Sequence, residues 1–142
     1  QAAARRWRDQ GRPGAIVNIV ADFWRGMPDA AHTCAARAAV AHLSRTVAVE
    51  WAPHDIRVNC VAPGTLETEG FANYPPEASA GFQYSNPMKR TGHAMDCAEA
   101  CVYLAGASGK FVTGEVLTVD GGQQLWGDVW MNARPDYFKL KG

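Results

Sequence analysis

The chain has 142 residues, 47% of them hydrophobic and 20% charged, with 14 Lys+Arg matched by 14 Asp+Glu. This is the composition of a single globular domain, with no net field to draw it to nucleic acid or to an anionic membrane. No apolar run approaches the roughly 20 residues needed to cross a bilayer, and Cys34, Cys60, Cys97 and Cys101 are too scattered for a disulfide framework.

The opening "QAAARRWRDQGRPG" has the composition of a helix running into a turn, and it starts in mid-helix without a methionine. "GAIVNIV" (14–20) is a short β-branched run that predicts a strand buried on both faces, as in a parallel sheet. "ADFWRGMPDAAH" follows as a loop broken by Gly26 and Pro28. From about 33 to 51 the pattern turns helical, with one stripe at Ala36, Ala39, Val40, Leu43 and Val47 and another at Ala38, Ala41, His42, Arg45 and Val49. A helix apolar on two sides is expected to be covered on two sides. "WAPHD" ends it at Pro53, and "IRVNCVAPG" (56–64) reads as a second buried strand.

Residues 65–92 carry Gly70, Pro75, Pro76, Gly81, Pro87 and Gly92 without a sustained period, and a loop of that length is usually a lid or binding segment. "DCAEACVYLAGA" (96–107) predicts a short helix with Asp96 as N-cap and Gly106 near its end. "GEVLTVDGG" (114–122) reads as a third strand. Trp24, Trp126 and Trp130 are apolar contacts with no assignable role. Cys97 and Cys101 sit one helical turn apart, but no His or third Cys has matching spacing, so no metal site is expected and reduced thiols point to the cytoplasm.

Strand, helix, strand, loop with helix, strand is the rhythm of an α/β domain with a parallel sheet. Three strands alone leave open edges and bare faces. The expectation is therefore an incomplete sheet whose missing part precedes residue 1.

In order along the chain stand the strand "VNI", the helix "HTCAARAAVAHLSRTVAVEW", "IRVN-VAPG", a "P-x-x-R-x-G" segment and "TG-x-x-L-x-VDGG". Together these resemble the C-terminal half of a short-chain dehydrogenase/reductase, over about residues 5–125. The resemblance implies a Rossmann-type, doubly wound parallel sheet flanked by helices, with residues 1–142 forming the C-terminal part of one such domain. It also implies a soluble NAD(P)-dependent oxidoreductase acting on a small molecule, with no nucleic-acid or membrane partner, and paired as a homodimer or homotetramer through the alanine-rich helix and the last strand. Ala41 is the expected contact on that helix. No G-x-x-x-G-x-G fingerprint occurs, so the isolated chain is expected neither to fold well nor to bind a dinucleotide tightly; the implied cofactor is NADP or NAD, which the family separates by a residue of the N-terminal half.

The family places Tyr-x-x-x-Lys on this helix, one turn apart on one face. Aligned on "A-x-A-A-V", the lysine position holds Arg37 and the tyrosine position Thr33, while the family serine falls at Val20 or Ala21. Arg37 is always charged and offers a fork of donors to ribose hydroxyls; Thr33 donates a hydrogen bond but is a poor acid. The resemblance thus assigns Arg37 to cofactor and catalysis and Thr33 to polarising a substrate oxygen. Pro63, Gly64 and Thr68 match the family's P-G-x-x-x-T, whose turn lies against the nicotinamide and whose Thr contacts the diphosphate. His32 and Asp22 are candidate acids, Tyr74 and Tyr84 candidate substrate contacts, and His42, His54 and His93 structural.

"H-x-x-A-A-R-A-x-V" with "EWA…IR-N-VAPG" is similar to the peroxisomal trans-2-enoyl-CoA reductases, and dienoyl-CoA reductases likewise carry a small hydroxyl residue at the tyrosine position. Such sites stabilise an enolate oxygen, a task for aimed hydrogen-bond donors more than for a phenolate. "ADFWRGMP" resembles bacterial proteins linked to citronellol or citronellal oxidation. The alternative is a non-catalytic relative with a degenerate site, kept for dinucleotide binding or oligomerisation.

Overall fold

Three short β-branched segments pair side by side because each is apolar enough to lie between two layers of helix. The computed structural model describes residues 1–27 and 29–125. Strand β1 (Gly14–Ile19) runs parallel to β2 (Ile56–Pro63), with Gly14 opposite Ile56 and Ile19 opposite Val61. Strand β5 (Val116–Val119) lies parallel on the other side of β2, giving the order β1-β2-β5. Helix α1 (Ala2–Asp9) precedes β1 as the opening composition predicts. Helix α2 (Ala31–Trp51) joins β1 to β2, and helix α4 (Ala94–Ala105) lies between β2 and β5.

Alternation along β2 sorts its residues onto two faces. Ile56 and Val58 pack with Ala4 of α1 and Ala48 of α2, while Cys60 and Ala62 join Ala41, Val20, Phe23 and Val116. The residues between them face α4. Arg57 donates to the carbonyls of Leu104, Ala105 and Gly109, and Asn59, 1% exposed, donates to Val112 O at 2.9 Å and accepts from Glu115 N–H at 3.0 Å. The architecture is therefore α/β, a parallel sheet with helices on both faces.

Helix α2 differs from its expected pattern. It starts at Ala31, two residues before the expected boundary, and its N-cap, Ala30, makes no side-chain hydrogen bond. Its inward face is Ala41, Ser44 and Ala48, so each predicted stripe is split between core and solvent. Polar Ser44 faces in because its hydroxyl donates to Val40 O at 2.8 Å and accepts from Asn18 Nδ2 at 2.9 Å, tying α2 to β1. Ala41, expected at an interface between copies, is fully buried against β2, whereas Leu43 and Val49 are 61% and 76% exposed.

The 65–92 stretch is not one loop. Strand β3 (Leu66–Glu67) pairs in parallel with β4 (Gly92–His93), and between them lie a short helix α3 (Pro76–Ser79) and two 3-10 turns, at Glu69–Asn73 and Phe82–Tyr84. Phe82 stacks edge-on against Phe71 and Tyr74, at 5.0 and 5.2 Å between centroids. Helix α4 begins two residues before Asp96. His93 is the N-cap and Asp96 is N3, its carboxylate accepting the His93 N–H at 2.8 Å to close a capping box. Trp24 gains a role the sequence did not give it, packing on Phe23 at 4.7 Å with the Arg45 guanidinium 5.8 Å from its ring. Trp126 and Trp130 lie outside the described residues, as does the breaker Pro28. Among the described residues no helix is long and apolar enough to cross a membrane.

Candidate active site

Because all three strands are parallel, their carboxyl ends lie together, at Ile19, Pro63 and Val119. In open α/β sheets that edge is where ligands bind. A cleft of about 540 Å³ opens there, lined by Ala21 and Asp22 after β1, Pro63 and Gly64 at the end of β2, and Thr68 and Tyr74 from the following segment. Gln123, beyond β5, closes its floor.

Backbone contacts fix the walls. Asp22 N–H donates to Pro63 O at 3.2 Å, and Gly64 N–H to Val119 O at 3.0 Å, so the three strand ends are laced together. Position 64 admits only glycine, since a Cβ there would stand 2.8 Å from the Asp120 Cα. Asp120 is held in turn by Gly122 N–H at 2.8 Å and Gln124 N–H at 2.7 Å, a turn made possible by the positive φ of Gly121 and Gly122, 63° and 87°. The Gln123 side-chain carbonyl accepts from Thr65 N–H at 3.1 Å and Thr65 Oγ1 at 3.0 Å, and Ser85 Oγ donates to Thr65 Oγ1 at 3.1 Å. This network pins the 65–92 segment to the end of β5.

The electrostatics centre on Asp22. Burial pushes its carboxyl above the usual carboxylate range and repulsion from Asp120 adds to this, while the Trp24 backbone N–H and Arg25 oppose it. Burial pushes the Cys60 and Cys97 thiols up, Cys60 in the core and Cys97 half-buried beside Cys101, which disfavours the thiolate at both.

Of the residues expected at a site, Pro63, Gly64 and Thr68 meet in this cleft, joined by Asp22 and Tyr74. Thr33 and Arg37 do not line it. Both lie on the first turns of α2, Thr33 half-buried and Arg37 exposed, and Arg37 makes no ion pair with a described residue. Their helix is nonetheless tied to the loop that carries Asp22, since Cys34 Sγ lies 3.8 Å from Phe23 O. His32 is exposed within the first turn of α2, and Tyr84 does not reach the cleft. Thr65, Asp120 and Gln123 were missed. The only signal for them was polar residues immediately flanking a Pro-Gly and a Gly-Gly stop.

The cleft falls within the ~300–1,000 Å³ typical of small-molecule sites. The Pro63–Gly64 turn and Thr68 line the strand-end wall, where one end of a dinucleotide could be held. The described residues contain no glycine-rich phosphate loop for the other end.

A family model described as enoyl-(acyl carrier protein) reductase matches residues 1–124. A peroxisomal 2,4-dienoyl-CoA reductase, (3E)-enoyl-CoA-producing, of Rattus norvegicus is 42% identical over 138 residues, which are 94% of this chain and 44% of the relative. A solved structure of a putative 2-deoxy-D-gluconate 3-dehydrogenase from Agrobacterium tumefaciens with bound NADP superposes with a TM-score of 0.83 at 35% identity, covering 89% of this chain and 52% of that one. A citronellol catabolism dehydrogenase of Pseudomonas aeruginosa gives a TM-score of 0.67 at 38% identity, over 79% of this chain and 43% of that one. The chain spans about half the length of the curated relatives it matches, 53% and 44% of the first two.

Proposed function

We propose, on the premise that this chain belongs to the short-chain dehydrogenase/reductase family, that it forms the C-terminal part of an NAD(P)-dependent reductase of enoyl thioesters. The membership rests on the family match over residues 1–124 and on relatives such as the 42%-identical dienoyl-CoA reductase. The observation that carries the functional reading is the cleft at the strand ends, where the Pro63–Gly64 turn and Thr68 meet. These three residues would hold the nicotinamide end of the cofactor, which supplies a hydride when bound. Arg37 would hold its ribose from the start of α2, and Thr33 would donate a hydrogen bond to the thioester oxygen as negative charge develops there.

A second reading, oxidation of a terpenoid alcohol or aldehyde, is favoured by the likeness to the citronellol catabolism dehydrogenase. The full-length protein carrying this sequence, incubated with NADH or NADPH and a crotonyl thioester, is expected to consume the cofactor and yield the saturated thioester. Turnover of citronellol with NAD(P) and none of the thioester would replace the first reading by the second. Cofactor binding without turnover of either would overturn both.

Pairing as a homodimer or homotetramer belongs to the same reading, supported by the exposed apolar Leu43 and Val49 on α2. So does a cytoplasmic location, where free Cys34, Cys60, Cys97 and Cys101 stay reduced.

A further inference from the structure

Reduction of an activated alkene needs two additions, a hydride at one carbon and a proton at the next. Neither Arg37 nor Thr33 suits the second task, since a guanidinium does not give up its proton and a threonine hydroxyl is a poor acid. Other groups at the cleft are therefore the candidates for the proton's source.

We propose that Asp22 is the acid that protonates the substrate, a role that rests on the enoyl-reductase reading above. Among the described residues lining the cleft, Asp22 is the one carboxylic acid. Its backbone is fixed against the cofactor turn by the 3.2 Å hydrogen bond to Pro63 O, so its side chain is held beside Pro63 and Gly64 and not left to a flexible loop. Tyr74, the other ionisable side chain in the wall, is 55% exposed and turns its ring against Phe82. The hydroxyls of Thr65 and Thr68 share the weakness of Thr33.

The charged groups that act on Asp22 are Asp120, from the end of β5, and Arg25, from its own loop. Asp120 is pinned by two backbone N–H groups, so its repulsion of the neighbouring carboxyl is built into the turn. Burial and this repulsion together favour the protonated form of Asp22, the form a reduction requires. The step balances. The β-carbon takes a hydride from the dihydronicotinamide, which is oxidised, and the alkene electrons move onto the thioester as an enolate. The Asp22 O–H bond then breaks, a C–H bond forms at the α-carbon, and the resulting carboxylate regains a proton from water at the mouth of the cleft.

The test compares Asp22→Asn and Asp22→Glu with the wild type in the full-length protein. Asp22→Asn is expected to lower kcat on the crotonyl thioester by roughly 10²–10⁴-fold, the range of a lost general acid, with NADPH affinity by fluorescence titration within twofold. Asp22→Glu is expected to restore part of the rate and a falling limb of kcat with rising pH that Asp22→Asn lacks. Thermal unfolding supplies a readout independent of turnover. A carboxyl raised in the folded state stabilises the fold below its unfolded pKa, and that contribution disappears as pH rises through the raised value. Asp22→Asn should therefore raise Tm relative to wild type at pH 7, and the difference should vanish near pH 3.

Wild-type turnover with an equally active Asp22→Asn would overturn the acid role alone. A Tm difference that does not change with pH would also count against it. A wild type that reduces no enoyl thioester would overturn the underlying reading, and this inference with it.

Discussion

At the scale of single residues, the cleft depends on a missing side chain. Gly64 sits where the β2 turn passes the Asp120 backbone, and any Cβ would collide with it. Gly64→Ala is expected to cost about 1–3 kcal/mol, the range for overpacking a fixed site, read as a lower denaturant midpoint. Arg37 presents the opposite case. It is exposed and makes no ion pair with a described residue, so Arg37→Ala should change stability by no more than about 0.5 kcal/mol. In the full-length protein the same substitution is expected to raise KM for the nicotinamide cofactor about tenfold, a loss of ~1.4 kcal/mol in binding, with Arg37→Lys recovering part of it. Unchanged cofactor kinetics would remove Arg37 from the site.

A few polar side chains join the elements of the fold. Arg57 fans its guanidinium into the Leu104 and Ala105 carbonyls that end α4 and into the Gly109 carbonyl of the turn after it. A lysine carries the charge but not the fork, so Arg57→Lys should leave carbonyls unsatisfied and cost about 1–3 kcal/mol, measured by chemical denaturation. Asp96→Ala opens the capping box with His93 and should cost about 1 kcal/mol.

The strands were legible in the sequence because β-branched runs bounded by Pro and Gly have few alternatives, and "GAIVNIV", "IRVNCVAPG" and "GEVLTVDGG" each hold a strand. The inward face of α2 was not, because alanine gives almost no hydropathy contrast and the decisive residue is Ser44, polar yet 2% exposed. The β3–β4 pairing escaped notice because two-residue strands leave no period to read. Pro63, Gly64 and Thr68 came into view through their order along the chain, whereas Gln123 and Asp120 act through contacts between distant segments that no local spacing records.

For the whole molecule, exposed apolar surface on α2 sets the expectation for assembly. Leu43 and Val49 are 61% and 76% exposed, while Ala41 is sealed in the core. Leu43→Glu with Val49→Glu is expected to shift the full-length protein to a smaller species in analytical ultracentrifugation without lowering Tm of the monomer. Unchanged sedimentation would place the contact elsewhere. The parallel clasp of Leu66–Glu67 on Gly92–His93 brings the two ends of the intervening stretch side by side. Since each doubling of a closed loop adds only about 0.6 kcal/mol of entropy cost, evolution is free to lengthen, shorten or rewrite the roof of this chamber between those stitches. The shape of the cleft can change in such a lineage while its floor at the strand ends stays the same.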